Sequence, residues 1–274
     1  MTLPMHRATN RSCATPFAAP DRSVSPPDPL ATSPSPAILR ASTKGGTSLL
    51  RLASYNLHKC RGLTGPHAPE RNLAVIAALK PDIIALQEVD FRLGARPEAL
   101  PRRLIREATG LVPADMTTTG ENSLGWHGQT ILMRPDLADN AVLRRLPLPG
   151  LEPRGAVVLR LPKLTVIGVH LGLARSSRRA QLARITAQAA RIADDNIVLM
   201  GDFNEWHDSR GLESLAGFRV VAPGPSYPAP MPQFRFDRIA MSQHLSLLDH
   251  GVFTGARARE ASDHLPIWAE IEQP

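Results

Sequence analysis

Cysteine, aromatic residues and long apolar runs are all scarce in this chain. Its two cysteines, Cys13 and Cys60, cannot build a disulfide framework in 274 residues and are typical of a reducing compartment. It has no stretch of about 18 apolar residues and no apolar run of signal-peptide length before Pro16. We therefore expect a cytoplasmic protein without a transmembrane segment.

The charge balance is mildly basic. The net charge is +7, and residues 1–47 supply five basic against two acidic residues, which leaves 27 basic and 23 acidic residues on the remainder. Such a field favours anionic substrates without singling out nucleic acid, and an aromatic content of 4% supplies few surfaces on which bases can stack.

Residues 1–47 differ in composition from the rest of the chain. They hold eight of the 26 prolines and show no sustained apolar period, so we expect a disordered tail. An organelle transit peptide is an alternative, although the prolines disfavour its amphipathic helix. We expect residues 48–274 to form one domain and the protein to be a monomer.

Strands dominate the remaining pattern. Helices are predicted at Pro69–Leu79, Pro97–Ala108 and Ser176–Ala193. Strands are predicted at Leu50–Tyr55, Ile83–Leu86, Thr130–Met133, Ala156–Leu161, Leu164–Val169, Ile197–Met200, Phe218–Val221, Phe236–Met241, Leu245–Leu248 and Ile267–Ile271. Two sheets packed face to face and covered by helices would bury these apolar runs, while the pattern alone leaves a single three-layer sheet open.

The most informative segment is Gly201-Asp202-Phe203-Asn204, which follows the apolar run Ile197–Met200. At strand period two, the side chains of Asp202 and Asn204 are expected on one side, where an acid and an amide can converge on one substrate atom. A simple Gly-Asp turn is the alternative interpretation.

Four other apolar runs also lead to polar groups that suit phosphate-ester chemistry. These groups are Asn56, Gln87-Glu88, His170 and Ser262-Asp263-His264. Each motif alone has an ordinary explanation: an Asx turn for Asn56, a surface acid for Glu88, and a buried structural histidine for His170. The set and its order are more specific than any member.

From about Leu49 to Ile271, this ordered set together with Asp237 resembles the endonuclease/exonuclease/phosphatase superfamily, metal-dependent hydrolases with the pancreatic deoxyribonuclease fold. The resemblance implies an α/β fold, a four-layer αββα sandwich of two mixed sheets, with residues 48–274 as the catalytic domain. It also implies Mg²⁺ or Mn²⁺ as cofactor.

The resemblance assigns roles residue by residue. Asn56, Glu88 and Asp263 place the metal; Asp202 and His264 manage protons, with Asp237 orienting His264; His170 and Asn204 stabilise the transition state. Asn56 and Asn204 also bind substrate. Arg154, just before a strand, is a further candidate for a phosphate contact. The alternative for Asp237 is a surface ion pair with Arg235 or Arg238.

Other positions limit the resemblance. His58 stands where some apurinic-site nucleases carry an acid, so their metal arrangement and abasic-DNA specificity are not implied. Gln129 occupies a position where many relatives carry Asn. The remaining histidines, His127 among them, are expected at the surface, and Pro223 to Pro232 is expected as an irregular loop near the active edge.

The predicted function is metal-dependent phosphoester hydrolysis, with a diester in nucleic acid or in a phospholipid headgroup as the expected substrate. The alternative is a catalytically silent nucleic-acid- or lipid-binding protein that retains the fold. A metal-free hydrolase with a nucleophilic serine is a third class, but the resemblance explains Ser262 without a nucleophilic role.

Overall fold

The computed structural model describes residues 49–91, 94–116, 122–192, 196–255 and 257–274. The tail predicted at residues 1–47 lies outside these ranges. Within them the chain forms twelve strands: β1 (Leu49–Asn56), β2 (Ile83–Gln87), β3 (Val112–Pro113), β4 (Gln129–Met133), β5 (Val142–Leu148), β6 (Arg154–Leu161), β7 (Leu164–His170), β8 (Ile197–Asp202), β9 (Phe218–Val221), β10 (Asp237–Ser242), β11 (Leu247–Val252) and β12 (Ile267–Glu272).

The strands form two mixed six-stranded sheets. The first sheet has the order β11-β12-β1-β2-β4-β3, and the second has the order β5-β6-β7-β8-β10-β9. Each sheet contains one parallel pair, β1 with β2 and β7 with β8, among antiparallel neighbours. A parallel pair needs a crossover connection, and the helices Pro69–Leu79 and Arg175–Ala189 supply the two crossovers.

Apolar side chains of the two sheets meet in a central core that includes Leu52, Ile83, Val166 and Met200, all nearly inaccessible to solvent. A second cluster covers the outer face of the first sheet, and a third covers the outer face of the second. The strands of the two parallel pairs, β1 with β2 and β7 with β8, therefore carry apolar side chains on both faces. The predicted αββα sandwich is confirmed, and the three-layer alternative is wrong.

The described residues form five α-helices outside the sheets: α1 (Pro69–Leu79), α2 (Arg102–Thr109), α3 (Pro135–Ala138), α4 (Arg175–Ala189) and α5 (Ala258–Ala261). Helix α1 has the predicted bounds, begins with proline and ends where Lys80 turns left-handed. Helix α2 begins later than the predicted Pro97, because Ala99 donates its N–H to Val89 and Pro101 precedes the helix in an extended conformation. Helices α3 and α5 are single turns, too short to show an amphipathic period.

The predicted strands agree with the structure except at the sheet edges. Strand β5 is missed because it is an edge strand in which the exposed Arg144, Arg145 and Pro147 interrupt the apolar pattern. Strand β11 begins at Leu247 rather than Leu245 and contains a register shift between Leu247 and Asp249. In the described part of the chain, no helix is long and apolar enough to span a membrane.

The register brings the polar motifs to one edge of the sandwich. Asn56 pairs with Gln87 at the carboxyl ends of β1 and β2, and His170 pairs with Asp202 at the carboxyl ends of β7 and β8. The first residue of β10, Asp237, is also opposite Asp202. We call this side of the molecule, where Asn56, Gln87, His170, Asp202 and Asp237 lie, the catalytic edge.

Candidate active site

The two sheets contact each other at the catalytic edge through a polar pair. The Asn56 side-chain amide, at the end of β1, donates to Asp202 Oδ2 at the end of β8, at 3.1 Å. Residues 146 positions apart therefore share one buried hydrogen bond. Because each of them ends a central strand, the packing of the sheets fixes their relative position.

Asp202 is the buried centre of the site, with 1% of its surface exposed. Two imidazoles approach its Oδ2 atom, His170 Nε2 at 3.5 Å and His264 Nε2 at 3.7 Å. Burial raises the pKa of Asp202 to about 6, and the nearby Asp237 acts in the same direction, while His264 and the hydrogen bonds from Asn204 and Asn56 partly offset it. A carboxylate with a pKa in this range exchanges protons near neutral pH.

His264 is held by Asp237 and Ser226. Its Nδ1 lies 2.8 Å from Asp237 Oδ2, and Ser226 Oγ donates to the same carboxylate oxygen at 2.5 Å. Burial opposes protonation of His264, but Asp237, Asp202 and Asp263 outweigh it and raise the pKa of the imidazole to about 10. Asp237 is fully buried, so the alternative of a surface ion pair is wrong.

Asn204 reaches the site by a turn rather than by strand alternation. It lies beyond the end of β8 with a φ of 50°, and its N–H donates to Asp202 Oδ1 at 2.8 Å. Its side-chain amide donates to the Leu171 carbonyl at 2.9 Å. The expectation that Asp202 and Asn204 share one side of a strand is therefore wrong, although the two residues are adjacent at the site.

Gly201 allows β8 to approach β7 closely at this point. A Cβ atom at residue 201 would collide with the carbonyl oxygen of Val169. Because Val169 and Gly201 are register partners immediately before His170 and Asp202, a larger residue would separate the two strands where the site begins. This close approach explains the glycine that opens the motif.

The acidic half of the site lies on the first sheet. Glu88 follows β2 with a φ of 55°, and its carboxylate forms an ion pair with Lys59 Nζ. Asn56 Oδ1 accepts the N–H of His58 at 3.0 Å, so the Asx turn weighed for Asn56 exists alongside its contact with Asp202. Asp263 Oδ1 lies 3.7 Å from His58 Nδ1.

The donor chemistry of this half suits a hard cation. Glu88, Asn56 and Asp263 offer oxygen atoms, which Mg²⁺ prefers, and Mg²⁺ commonly uses only one or two carboxylates. The ion pair with Lys59 shows that Glu88 attracts a positive charge at this position. Within the described ranges, no three His, Cys, Asp or Glu side chains are grouped as a ready metal cluster, so amide, water or substrate oxygens would complete the shell.

A cleft of about 130 Å³ opens beside Glu88 and His170 and contains Arg154. The Arg154 guanidinium is buried and donates twice to Glu152 Oε2, at 3.2 and 2.8 Å. Glu152 Oε1 in turn accepts the N–H of Leu173 at 3.0 Å. Arg154 therefore has a fixed position in the cleft, next to the predicted site residues.

His127 also lines the cleft, which corrects the expectation that it is a surface residue. It is partly buried, and its Nδ1 is a buried atom with no hydrogen-bond partner. Burial lowers its pKa, and the neighbouring Arg96 and Arg154 charges act in the same direction. No spacing in the sequence indicated this role, because His127 reaches the cleft through a left-handed turn with a φ of 50°.

Glu205 supports the turn that carries Asn204, although its sequence pattern does not predict a role at the site. Its buried carboxylate accepts hydrogen bonds from Arg175 and from Arg178, at 3.0 and 2.7 Å. The fully buried Arg238 donates to the Glu205 carbonyl at 2.9 Å. Burial alone would raise the pKa of Glu205, but Arg175 and Arg178 prevail and lower it to about 2.

Left-handed backbone conformations concentrate at the catalytic edge. Among the described residues, the non-glycine positions with positive φ are His58, Lys59, Cys60, Lys80, Glu88, Arg96, His127 and Asn204. Only Lys80, which ends α1, lies away from the site. Such conformations cost on the order of 1 kcal/mol each or more and are typical of functional sites, where the surrounding structure holds them.

The proline-rich loop contacts the site as predicted. Its Tyr227 ring lies 4.9 Å from the His264 ring, and Ala229 donates its N–H to the Asp263 carbonyl at 2.7 Å. Two further rings continue outward, Phe236 at 5.2 Å from Tyr227 and Phe234 at 5.4 Å from Phe236. Tyr227 of the loop, with Phe236 and Phe234 after it, therefore forms a row of aromatic rings beside His264.

Known proteins share this architecture. Over 162 residues the chain is 31% identical to the uncharacterized protein YbhP of Escherichia coli strain K12, a match that covers 54% of this chain and 63% of that protein. The fold is similar to D. rerio TDP2 complexed with a single-strand DNA product, with a TM-score of 0.61 and 18% identity over 82% of this chain and 100% of that one.

A second solved structure with the same fold is a mannosyl-6-phosphatase of Bacteroides thetaiotaomicron, with a TM-score of 0.59 and 17% identity over 81% of this chain and 99% of that one. The family model described as "Endonuclease/Exonuclease/phosphatase family" matches residues 53–264, which include every predicted site residue. The chain therefore belongs to the endonuclease/exonuclease/phosphatase family.

Proposed function

We propose that the protein is a divalent-metal-dependent phosphodiesterase. The observation that carries the proposal is the buried Asp202, which accepts the Asn56 amide from the opposite sheet and lies within 4 Å of both His170 and His264. Family membership supports phosphoester hydrolysis in general. The choice of a diester, of the metal and of the residue roles is our inference.

We assign the metal, Mg²⁺ or Mn²⁺, to Glu88, Asn56 and Asp263. When bound, it would neutralise phosphoryl oxygens and stabilise the charge that develops during the reaction. The cationic Lys59 beside Glu88 supports the view that this position accepts positive charge. Lys59 is then expected to move away from Glu88 when the cation binds.

The protein's own groups would manage the proton transfers. Asp202, with its pKa raised to about 6, is positioned to orient and deprotonate the attacking water. His264, fixed through Nδ1 by Asp237, presents its Nε2 toward the same space and carries positive charge at neutral pH. An imidazolium at this position stabilises the anionic transition state.

The remaining residues would bind the phosphoryl group. His170 lies between Asp202 and the cleft, and Arg154 contributes a guanidinium within that cleft. The Asn204 amide is fixed at the Leu171 carbonyl, so its second hydrogen is available for a substrate oxygen. We infer a substrate whose phosphate carries two esters; the cleft of about 130 Å³ that contains Arg154 lies next to these groups.

We further propose a monomeric, cytoplasmic enzyme; the cysteine usage supports a reducing compartment. A catalytically silent binding protein is the alternative. That alternative predicts at least one missing catalytic group, whereas all the predicted groups lie at the catalytic edge.

The test is a substrate panel with the wild-type protein and Mg²⁺ or Mn²⁺, with and without EDTA. The panel contains plasmid DNA, single-stranded RNA, bis-p-nitrophenyl phosphate, p-nitrophenyl phosphate, sphingomyelin and inositol phospholipids. Cleavage of a diester that stops with EDTA and returns with added metal is the expected result. Cleavage that persists in EDTA, or silence across the panel with both metals, contradicts the proposal.

A further inference from the structure

Exposed apolar side chains are concentrated at the catalytic edge. Of nine large apolar residues that the described part of the chain exposes, six lie on loops of this edge. We call these six the apolar rim: Leu63, Leu151, Leu173, Trp206, Met231 and Phe234. Single exposed apolar residues are normal in soluble proteins, so it is the shared location that requires an explanation.

The sheet register shows that rim residues surround the site. Leu151 lies three residues before Arg154, and Leu173 lies three residues after His170. Trp206 lies two residues after Asn204. The site residues occupy neighbouring strand ends of the second sheet, so the rim side chains on their loops flank the same opening.

The proline-rich loop and the first sheet complete the rim. Phe234 lies three residues before Asp237, and Met231 belongs to the loop that contacts His264. Leu63 follows the turn that ends β1, where neighbouring Gly62 packs against the Glu260 carbonyl of α5. Both sheets therefore contribute apolar side chains to one side of the molecule.

Four of the rim side chains expose well over half of their surface to solvent. Leu151 is 90% exposed, Leu173 69%, Met231 67% and Trp206 61%. The three exposed apolar residues outside the rim are Leu49 and Val142, which begin β1 and β5, and Leu248 on the edge strand β11. These three lie on separate strands, and none of them lines the cleft that contains Arg154.

Exposed arginines accompany the rim. Arg61 lies two residues before Leu63, Arg210 lies four residues after Trp206, and Arg235 directly follows Phe234. Apolar side chains that enter the acyl boundary, together with arginines at headgroup level, are the composition by which proteins bind anionic lipid surfaces. Four of the six rim side chains are aliphatic and provide no stacking surface for bases, which only Trp206 and Phe234 offer, so the rim fits a lipid surface better than a nucleic acid.

We propose that the apolar rim docks the catalytic edge onto an anionic lipid surface, so that the phosphoester reaching Asp202 belongs to a lipid headgroup. The docking part stands independently, whereas the assignment of the substrate rests on the proposed phosphodiesterase function. Docking would place the cleft against the headgroups, because rim residues and site residues share the same loops.

The test compares two double variants in sedimentation with phosphatidylcholine vesicles, with and without phosphatidylglycerol. The rim variant, Leu151→Ser with Leu173→Ser, replaces two apolar side chains of the rim. The control variant, Val142→Ser with Leu248→Ser, replaces two exposed apolar side chains outside the rim. Wild type and the control variant are expected to bind vesicles that contain phosphatidylglycerol. The rim variant is expected to bind with a partition coefficient at least about tenfold lower.

A second readout uses tryptophan fluorescence. Trp206 is 61% exposed, while Trp126 and Trp268 are partly buried, so insertion of the rim is expected to shift the emission to shorter wavelength in a manner that Trp206→Phe abolishes. Failure of the wild type to bind vesicles, or equal losses in both double variants, overturns the docking. Binding of single-stranded DNA that the rim variant alone loses overturns it in favour of a nucleic acid.

Hydrolysis of bis-p-nitrophenyl phosphate in the same preparations separates the two proposals. Metal-dependent hydrolysis without vesicle binding overturns the docking and leaves the phosphodiesterase standing. Vesicle binding by the wild type without hydrolysis of any phosphoester overturns the catalytic function, and with it the lipid substrate, while the docking surface is retained.

Discussion

Asp82 and Asp202 are both buried carboxylates at ends of central strands, but they lie at opposite edges of the sandwich. Asp82, just before β2, accepts the Arg51 N–H at 2.6 Å and an Arg134 guanidinium hydrogen bond at 2.9 Å. Asp202, at the end of β8, is close to two imidazoles and accepts a side-chain amide. One carboxylate is neutralised by a permanent cation, whereas the other lies among groups that can exchange protons.

This difference teaches that burial alone does not mark a catalytic acid. A carboxylate that is paired with arginine and backbone amides stabilises the fold, and its charge is already balanced. A carboxylate whose pKa is raised to about 6 by burial, beside histidines at a cleft, is suited to proton transfer. Left-handed residues and the apolar rim occur at the same edge as Asp202.

The largest predicted effect is at His264. His264→Ala should reduce the turnover of bis-p-nitrophenyl phosphate by on the order of 10³-fold or more, because the group that faces Asp202 and the transition state is removed. His244→Ala, at an exposed histidine that bonds Asn196 near the opposite edge, is the matched control and should retain turnover. Equal turnover of the two variants would refute the role of His264.

The next largest effect is at Asp237. Asp237→Asn should lower turnover by about 10²-fold, because the amide no longer stabilises a charged imidazole through Nδ1. Steady-state kinetics should show the loss in kcat rather than in KM. Asp249→Asn, on the exposed edge strand β11, is the control. A pure KM effect at Asp237 would indicate substrate binding instead of orientation of His264.

A more moderate effect is predicted for substitution of Glu88, which we assign to the metal. Glu88→Gln should raise the Mg²⁺ concentration for half-maximal activity by at least about tenfold, because a charged ligand is replaced by a neutral one. Glu270→Gln, which disrupts an ion pair with Arg51 away from the site, should leave that concentration unchanged. An unchanged metal requirement in Glu88→Gln would remove Glu88 from the metal site.

Substitution of Glu205 is predicted to have the smallest effect on turnover. It should, however, lower the free energy of unfolding. Its pKa is lowered to about 2 in the folded protein, so its contribution to stability is fully present above the unfolded pKa of about 4.5 and is lost as the pH falls toward 2. The shift corresponds to about 3 kcal/mol. Urea unfolding at pH 7 should show a loss of this order in Glu205→Gln.

The control for this prediction is Glu107→Gln, at an exposed position of α2. The difference in the free energy of unfolding between wild type and Glu205→Gln should narrow as the pH is lowered from 5 to 3. A difference that stays constant with pH would mean that the Arg175 and Arg178 contacts do not depend on the charge of Glu205.

Sequence patterns predicted the central strands and the group of polar residues at their ends, because both are visible in short stretches of neighbouring residues. Long apolar runs that end in polar residues identified β1, β2, β7 and β8, and their shared edge follows from sheet geometry. Edge strand β5 and the one-turn helices α3 and α5 carry no such pattern. Their conformations depend on neighbours that are distant in sequence.

The missed site residues have the same physical explanation. Lys59 and His127 reach the site through left-handed turns, and side-chain direction after such a turn cannot be deduced from periodicity. The supporting role of Glu205 is visible only from its contacts with two arginines, which lie 27 and 30 residues away in the chain. Asn204 was predicted from strand alternation, an argument that the turn at its position invalidates, although the turn still brings Asn204 next to Asp202.

The most direct test compares Asp202→Asn with Asp82→Asn, measuring turnover of a diester with Mg²⁺ and the free energy of unfolding in the same preparations. We expect Asp202→Asn to lose turnover by about 10³-fold or more while remaining folded, and Asp82→Asn to lose about 1–3 kcal/mol of stability while retaining turnover per folded molecule. Retained turnover in Asp202→Asn, or equal losses of turnover in both variants, would contradict the central claim.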